Sequence, residues 1–80
     1  MMTDYKEVLI GQLSEELEVS RDKFVDGALL KDDLGFDSLD LVDVVVLIEE
    51  TVGVKLTQRD FAGVKTFGQM LDLIEHKRQA

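Results

Sequence analysis

The amino-acid sequence predicts an all-α domain: a small four-helix bundle of three longer helices and one short one, with a long loop between the first and second helices. Three observations carry this. Apolar residues recur at helical spacing over residues 4–17, 38–52 and 66–77. Each stretch opens on a residue whose side-chain oxygen suits a helix start, and Gly53 closes the second. No proline interrupts any of them, and 45% of the residues are apolar, too many for a disordered acidic chain. Residues 1–80 form a single domain. A chain this small buries only about 60% of its unfolded surface, so its stability should be modest.

In the first helix, residues 4–17, Asp4 and Glu7 suit a capping box. Leu9, Ile10, Leu13 and Leu17 form a stripe with Tyr5 at its edge, while Val8 lies off it. Glu15 and Glu16 form a solvated face. Residues 18–36 form the long connection. Asp22, Asp26, Gly27, Asp32, Asp33 and Gly35 favour turns. Val19, Phe24, Val25, Leu29, Leu30, Leu34 and Phe36 predict that it is pinned across the core. So long a connection implies a function or a short helical turn. Its acids lack the alternation of a calcium loop.

In the second helix, residues 38–52, Val44, Val45 and Val46 prefer strands, but fifteen residues without a turn former decide for a helix. At 3.6 residues per turn, Leu41, Val45, Ile48 and Val52 share a face, assigned to the core. Leu39, Val42 and Val46 lie on a flank beside Asp43 and Glu50. That flank reads equally as a partner surface or as a second core face. Gly53 suits a C-terminal cap, and Val54-Lys55-Leu56 forms an extended link. Thr57 to Ala62 predicts a short third helix, with Asp60 three residues after its cap and Phe61 as its apolar anchor. Gly63 ends it. Over residues 66–77, Thr66 and Gln69 make a capping box, and Phe67, Met70, Leu71 and Ile74 form the core face. His76, Lys77 and Arg78 suit the C-terminal dipole of this last helix. His76 is the only histidine and reads as a dipole partner rather than a ligand or base.

Nine basic and seventeen acidic residues give a net charge of −8. That argues against nucleic acid and for partners with basic patches, whose association weakens with salt. There is no cysteine, hence no disulfide or thiolate metal site. The start, Met1 to Lys6, lacks an apolar signal region, and the longest apolar run, Val44 to Ile48, is too short to span a bilayer. The expected location is the cytoplasm. No paired carboxylates, nucleophile–base pair or metal-ligand set argues for an enzyme.

The stretch with the most chemistry is Asp33-Leu-Gly-Phe-Asp-Ser-Leu-Asp40. Gly35 allows a sharp turn. Asp37 followed by Asp40 is an acidic variant of the capping box. Ser38 then stands at, or one residue inside, a helix N-terminus, where partial positive charge and free N–H groups favour a phosphate. By itself Ser38 reads either as a capping serine or as the carrier of a phosphodiester group.

Leu34-Gly-Phe-Asp-Ser-Leu39, set mid-chain in an acidic 80-residue protein and followed by an apolar helix, resembles the prosthetic-group attachment site of acyl carrier proteins. The length, leading helix, long loop, break at Gly53 and Thr-capped last helix match as well. The resemblance implies that Ser38 carries 4′-phosphopantetheine, transferred from coenzyme A by a separate phosphopantetheinyl transferase that uses magnesium. The thiol of that arm would hold acyl groups as thioesters for fatty-acid, lipid or polyketide-type synthesis, and bundles of this family can shelter the acyl chain. Acyl-loading and acyl-processing synthases with basic docking patches would be the partners of a monomeric carrier. They would meet Asp37, Asp40 and Asp43, with Leu39, Val42 and Val46 as the apolar anchor. The chain departs from the fatty-acid synthesis carriers in Thr51-Val-Gly-Val-Lys-Leu-Thr-Gln-Arg-Asp-Phe61. Lys55 and Arg59 stand where acids are common there, and Thr57 where proline is common. This points to a specialised carrier serving a dedicated pathway. The competing readings are an aminoacyl or peptidyl carrier and, in a different class, an unmodified helical interaction module.

Overall fold

A computed structural model describes residues 4–79 of the chain. Among these, every regular element is helical: α1 (Asp4–Leu17), a 3-10 turn (Arg21–Lys23), α2 (Ser38–Val52), a second 3-10 turn (Gln58–Phe61) and α3 (Phe67–Gln79). The predicted all-α architecture holds, with one refinement. The short fourth member of the bundle is a 3-10 turn rather than an α-helix, as suits a segment with one buried anchor, Phe61.

Helix α1 turns Leu9, Ile10 and Leu13 into the core, leaves Tyr5 and Leu17 half-buried, and exposes Val8. The proposed Asp4–Glu7 capping box depends on the Asp4 side chain, which lies outside the described part of the chain. The helix stops at Glu18, which takes up a left-handed backbone (φ 56°) normally left to glycine. Two bonds hold that strained exit: the Val19 N–H donates to the Ser14 carbonyl (3.1 Å), and the Ser14 hydroxyl donates to the Val19 carbonyl (2.6 Å).

The long connection is pinned as expected, but by fewer residues. Phe24, Ala28, Leu30, Leu34 and Phe36 are buried, whereas Val25 and Leu29 are exposed. Leu29 forms an isolated antiparallel bridge with Thr66. In extended chain successive side chains alternate sides, so placing Ala28 and Leu30 inward sends Leu29 outward. Phe24 takes the inward place beside Val25 and sets its ring edge-on to Phe67, with centroids 5.4 Å apart. The loop backbone is clipped to the start of α3 by three hydrogen bonds of 2.9 Å: Leu30 N–H to the Lys65 carbonyl, Phe67 N–H to Ala28, and Gly68 N–H to Asp26.

In α2 the boundaries match, but the core face is rotated. Val44 and Ile48 are fully buried, while Leu41, Val45 and Val52, assigned to the centre of the core face, are half-buried flanks. A helix aliphatic on nearly every side does not announce which stripe is central; the packing against α1 decides it. Gly53 closes α2 in the left-handed conformation (φ 83°), its N–H donating to Glu49. Buried Val54 and Leu56 alternate with exposed Lys55 along the extended link. Helix α3 buries Phe67, Met70 and Ile74 completely and Leu71 partly. It runs two residues beyond the expected end at 77, where His76, Lys77 and Arg78 complement the helix dipole and Arg78 pairs with Glu75 at 2.7 Å.

Candidate functional site

The loop–helix junction at residues 33–40 is built around two buried anchors. Leu34 and Phe36 sit in the core on either side of Gly35, whose positive φ of 74° makes the turn between them. The Leu34 N–H donates to the Leu29 carbonyl (3.0 Å) and the Phe36 N–H to the Leu30 carbonyl (2.9 Å). The Asp33 carboxylate accepts the Leu29 N–H at 2.8 Å. The chain thus reaches Asp37 already fixed in direction.

Asp37 is the N-cap of α2. Its Oδ1 accepts the Asp40 N–H (2.9 Å), and Asp40 Oδ2 accepts the Asp37 N–H (3.2 Å), so the predicted acidic capping box forms. Ser38 is consequently the first helical residue and is exposed. The capping duty belongs to its neighbour, which removes the reading of Ser38 as the capping serine.

Running away from Ser38, Leu39, Val42 and Val46 are 76%, 46% and 48% exposed. The second-core-face reading of this flank does not hold, since these side chains point to solvent opposite Val44 and Ile48. Exposed Asp37, Asp43, Glu49 and Glu50 and half-buried Asp40 edge the strip. Apolar surface rimmed by one sign of charge is the composition of a docking face for a basic partner.

Beside Ser38, on its other side, lies a hollow of about 450 Å3 walled by Phe36, Leu41, Phe61 and Val64, with Lys31 and Lys65 also lining it. The sequence gives no local sign of this space, because its walls come from segments that meet only in the fold. A larger open groove of about 970 Å3 lies between α1 and α3. Charged side chains such as Lys6, Asp72 and Glu75 line it together with Tyr5 and Leu71, and it contains none of the junction residues. There Tyr5 donates to Glu75 Oε2 (3.3 Å), and the Arg78 guanidinium lies 5.0 Å from the Tyr5 ring centroid. Burial, with the nearby Glu75 carboxylate, raises the Tyr5 hydroxyl above its ordinary pKa.

The second 3-10 turn is fixed by the predicted Thr57–Asp60 capping box. The Thr57 N–H donates to Asp60 Oδ2 (2.9 Å), and the Asp60 N–H donates to Thr57 Oγ1 (3.3 Å). The Thr57 N–H, followed by Lys77 at 3.6 Å, holds the Asp60 carboxyl below the usual carboxylate range. Asp60 is therefore committed to internal contacts, while Lys55 and Arg59 face solvent. The Thr66–Gln69 capping box also forms, with Gln69 N–H to Thr66 Oγ1 at 3.1 Å and Thr66 N–H to Gln69 Oε1 at 3.3 Å. His76 is exposed in the last turn of α3. Among the described residues, no helix is long and apolar enough to cross a membrane, and no group of three or more His, Cys, Asp or Glu side chains is placed to hold a metal.

Comparison with known proteins bears on this junction directly. A family model for the phosphopantetheine attachment site matches residues 7–74. An acyl carrier protein of Thermotoga maritima is 43% identical over 65 residues, which cover 81% of this chain and 80% of that protein. One of Saccharopolyspora erythraea is 38% identical over 61 residues, covering 76% of this chain but 64% of the relative, just under two thirds of its length. One of Clostridium perfringens is 34% identical over 65 residues, covering 80% of this chain and 86% of the relative.

Proposed function

The chain belongs to the phosphopantetheine-attachment family of acyl carrier proteins, and from that premise we propose that its residues 1–80 are one carrier domain whose Ser38 bears the 4′-phosphopantetheine arm. Its role is that of a carrier rather than a catalyst. A phosphopantetheinyl transferase is the first partner. The Ser38 hydroxyl gives up its proton to a base on that enzyme, its Oγ bonds to the pantetheine phosphorus, and the adenosine bisphosphate half of coenzyme A leaves. Synthases then load and process acyl groups on the terminal thiol.

The observation that carries this reading is the division of labour between adjacent residues. Asp37 satisfies the helix start, so Ser38 offers an exposed hydroxyl on a fixed backbone. The strip of Leu39, Val42 and Val46, edged by Asp37, Asp40 and Asp43, supplies the docking face for partners with basic patches. Contacts of this size exchange quickly, as a shuttle requires. The carried material is an acyl group for fatty-acid, lipid or polyketide-type synthesis. Exposed Lys55 and Arg59 favour a dedicated pathway over general fatty-acid synthesis, because they present cations at the end of an otherwise acidic face. The protein works as a monomer in the cytoplasm.

Incubation with coenzyme A, magnesium and a broad-specificity phosphopantetheinyl transferase should raise the intact mass by one arm, and Ser38→Ala should abolish the gain. A mass gain that survives Ser38→Ala would place the attachment elsewhere. Equal turnover by general fatty-acid synthesis enzymes would count against the dedicated pathway.

A further inference from the structure

Attaching an arm to Ser38 puts a permanent phosphodiester anion in an acidic neighbourhood. The Asp37 carboxylate already occupies the Asp40 N–H, and the Asp40 carboxylate occupies the Asp37 N–H. The capping box thus supplies two like charges beside the new anion and consumes donors that a phosphate at a helix start would otherwise use. Compensation has to come from elsewhere.

Two cations stand on the other side of Ser38. Lys31 and Lys65 line the same hollow as the serine. The Leu29–Thr66 bridge and the Leu30 N–H to Lys65 carbonyl bond bring them together from segments far apart in the chain. Neither appears in an ion pair among the described residues. Two carboxylates also border the hollow: that of Asp37, engaged in the cap, and that of Asp32, which is exposed. A space of about 450 Å3 is on the order of 10 Å across, comparable to the screening length in physiological salt. Charges around its rim therefore still interact.

We propose that Lys31 and Lys65 form an anion site at the mouth of the hollow beside Ser38 and draw the arm back over it, away from the apolar strip of α2. The proposal rests on attachment at Ser38 and adds where the arm lies and what chemistry it favours. The anion is a phosphodiester or a carboxylate carried by the arm: either the arm's own phosphate or the far end of a dicarboxylic acyl group. The apolar walls of Phe36, Leu41, Phe61 and Val64 accept the uncharged remainder.

The test uses the modified protein in three forms: free thiol, hexanoyl thioester and adipoyl thioester. Phosphorus NMR of the phosphodiester and the amide resonances of residues 29–31 and 64–66 are followed in the native chain, in Lys31→Gln/Lys65→Gln and in Lys6→Gln as control. If the phosphate is the bound anion, the double substitution moves the phosphorus resonance in all three forms and abolishes the amide shifts that attachment of the arm produces in the native chain. If the cargo carboxylate is, only the adipoyl form responds. Added salt should shift the native protein in the same direction, a readout independent of how the variant folds. Attachment-induced shifts, of phosphorus or of these amides, that the double substitution leaves unchanged in every form overturn the proposal. A protein that gains no mass with coenzyme A and transferase fails earlier, at the attachment itself, and intact mass reports that separately.

Discussion

Substituting Asp37 and Ser38 one at a time separates stability from chemistry at neighbouring positions. Asp37→Ala removes the side chain that accepts the Asp40 N–H and leaves only the reciprocal bond, from the backbone N–H of residue 37 to Asp40 Oδ2. Loss of such a cap costs about 1 kcal/mol. In a domain of this size that lowers the melting temperature by roughly 4–8 °C. Ser38→Ala removes an exposed hydroxyl from the first helical position, where it caps nothing. Alanine is also the better helix former, so the stability change should stay within about 0.5 kcal/mol. Thermal unfolding followed by circular dichroism measures both, and intact mass after exposure to coenzyme A and transferase measures the chemistry. The expected result is a double dissociation: Asp37→Ala is destabilised and Ser38→Ala is unmodifiable but stable. If Ser38→Ala melts as early as Asp37→Ala, the serine is structural and the argument from the cap is wrong.

Gly68→Ala should destabilise the fold by about 1–3 kcal/mol by overpacking. Its new Cβ would stand 2.9 Å from the Asp26 carbonyl oxygen, against backbone that cannot swing aside; denaturant unfolding and faster amide exchange over residues 26–30 check this. Leu39→Ser should leave stability within about 0.5 kcal/mol, because the side chain is 76% exposed, yet slow modification by the transferase, read as kcat/KM. The depressed Asp60 carboxyl stabilises the second 3-10 turn fully above the ordinary carboxylate value of 3.8 and loses that contribution as pH falls through its lower folded value. Amide shifts of Thr57 and Asp60 should therefore move only in strong acid, and Asp60→Asn should remove the transition. Tyr5, the sole tyrosine in a chain without tryptophan, should ionise above its ordinary value of 10.0, seen as late tyrosinate absorbance. Its neutral-form contribution to stability is full below that value and fades as pH rises through the folded one.

Local signals in the sequence were sufficient wherever one segment decides its own structure. The capping pairs Asp37/Asp40, Thr57/Asp60 and Thr66/Gln69 each place an acceptor three residues from a donor, and all three form. The span of α2, its closure at Gly53 and the position of Ser38 follow from such short-range chemistry. The central stripe of α2 was not legible, because valine at 44, 45 and 46 fits a core anywhere on the wheel and only the neighbouring helix selects Val44. The outward turn of Leu29 depends on Thr66 across the bridge. The hollow beside Ser38 needs Phe61 and Val64, which no pattern around the serine foretells. Glycine at 68 gives no hint of its role until Asp26 is seen against it.

The clip between residues 26–30 and 65–68 has a bearing on when the protein can first be used. Those hydrogen bonds tie the segment leading to Ser38 to the beginning of α3, and synthesis reaches α3 after the serine. A nascent polypeptide still short of Gly68 holds the serine but lacks the seat for its approach loop. The approach to the serine should thus take its final shape only once α3 has been made, so that helix acts as a checkpoint on when the site is first presented to an enzyme.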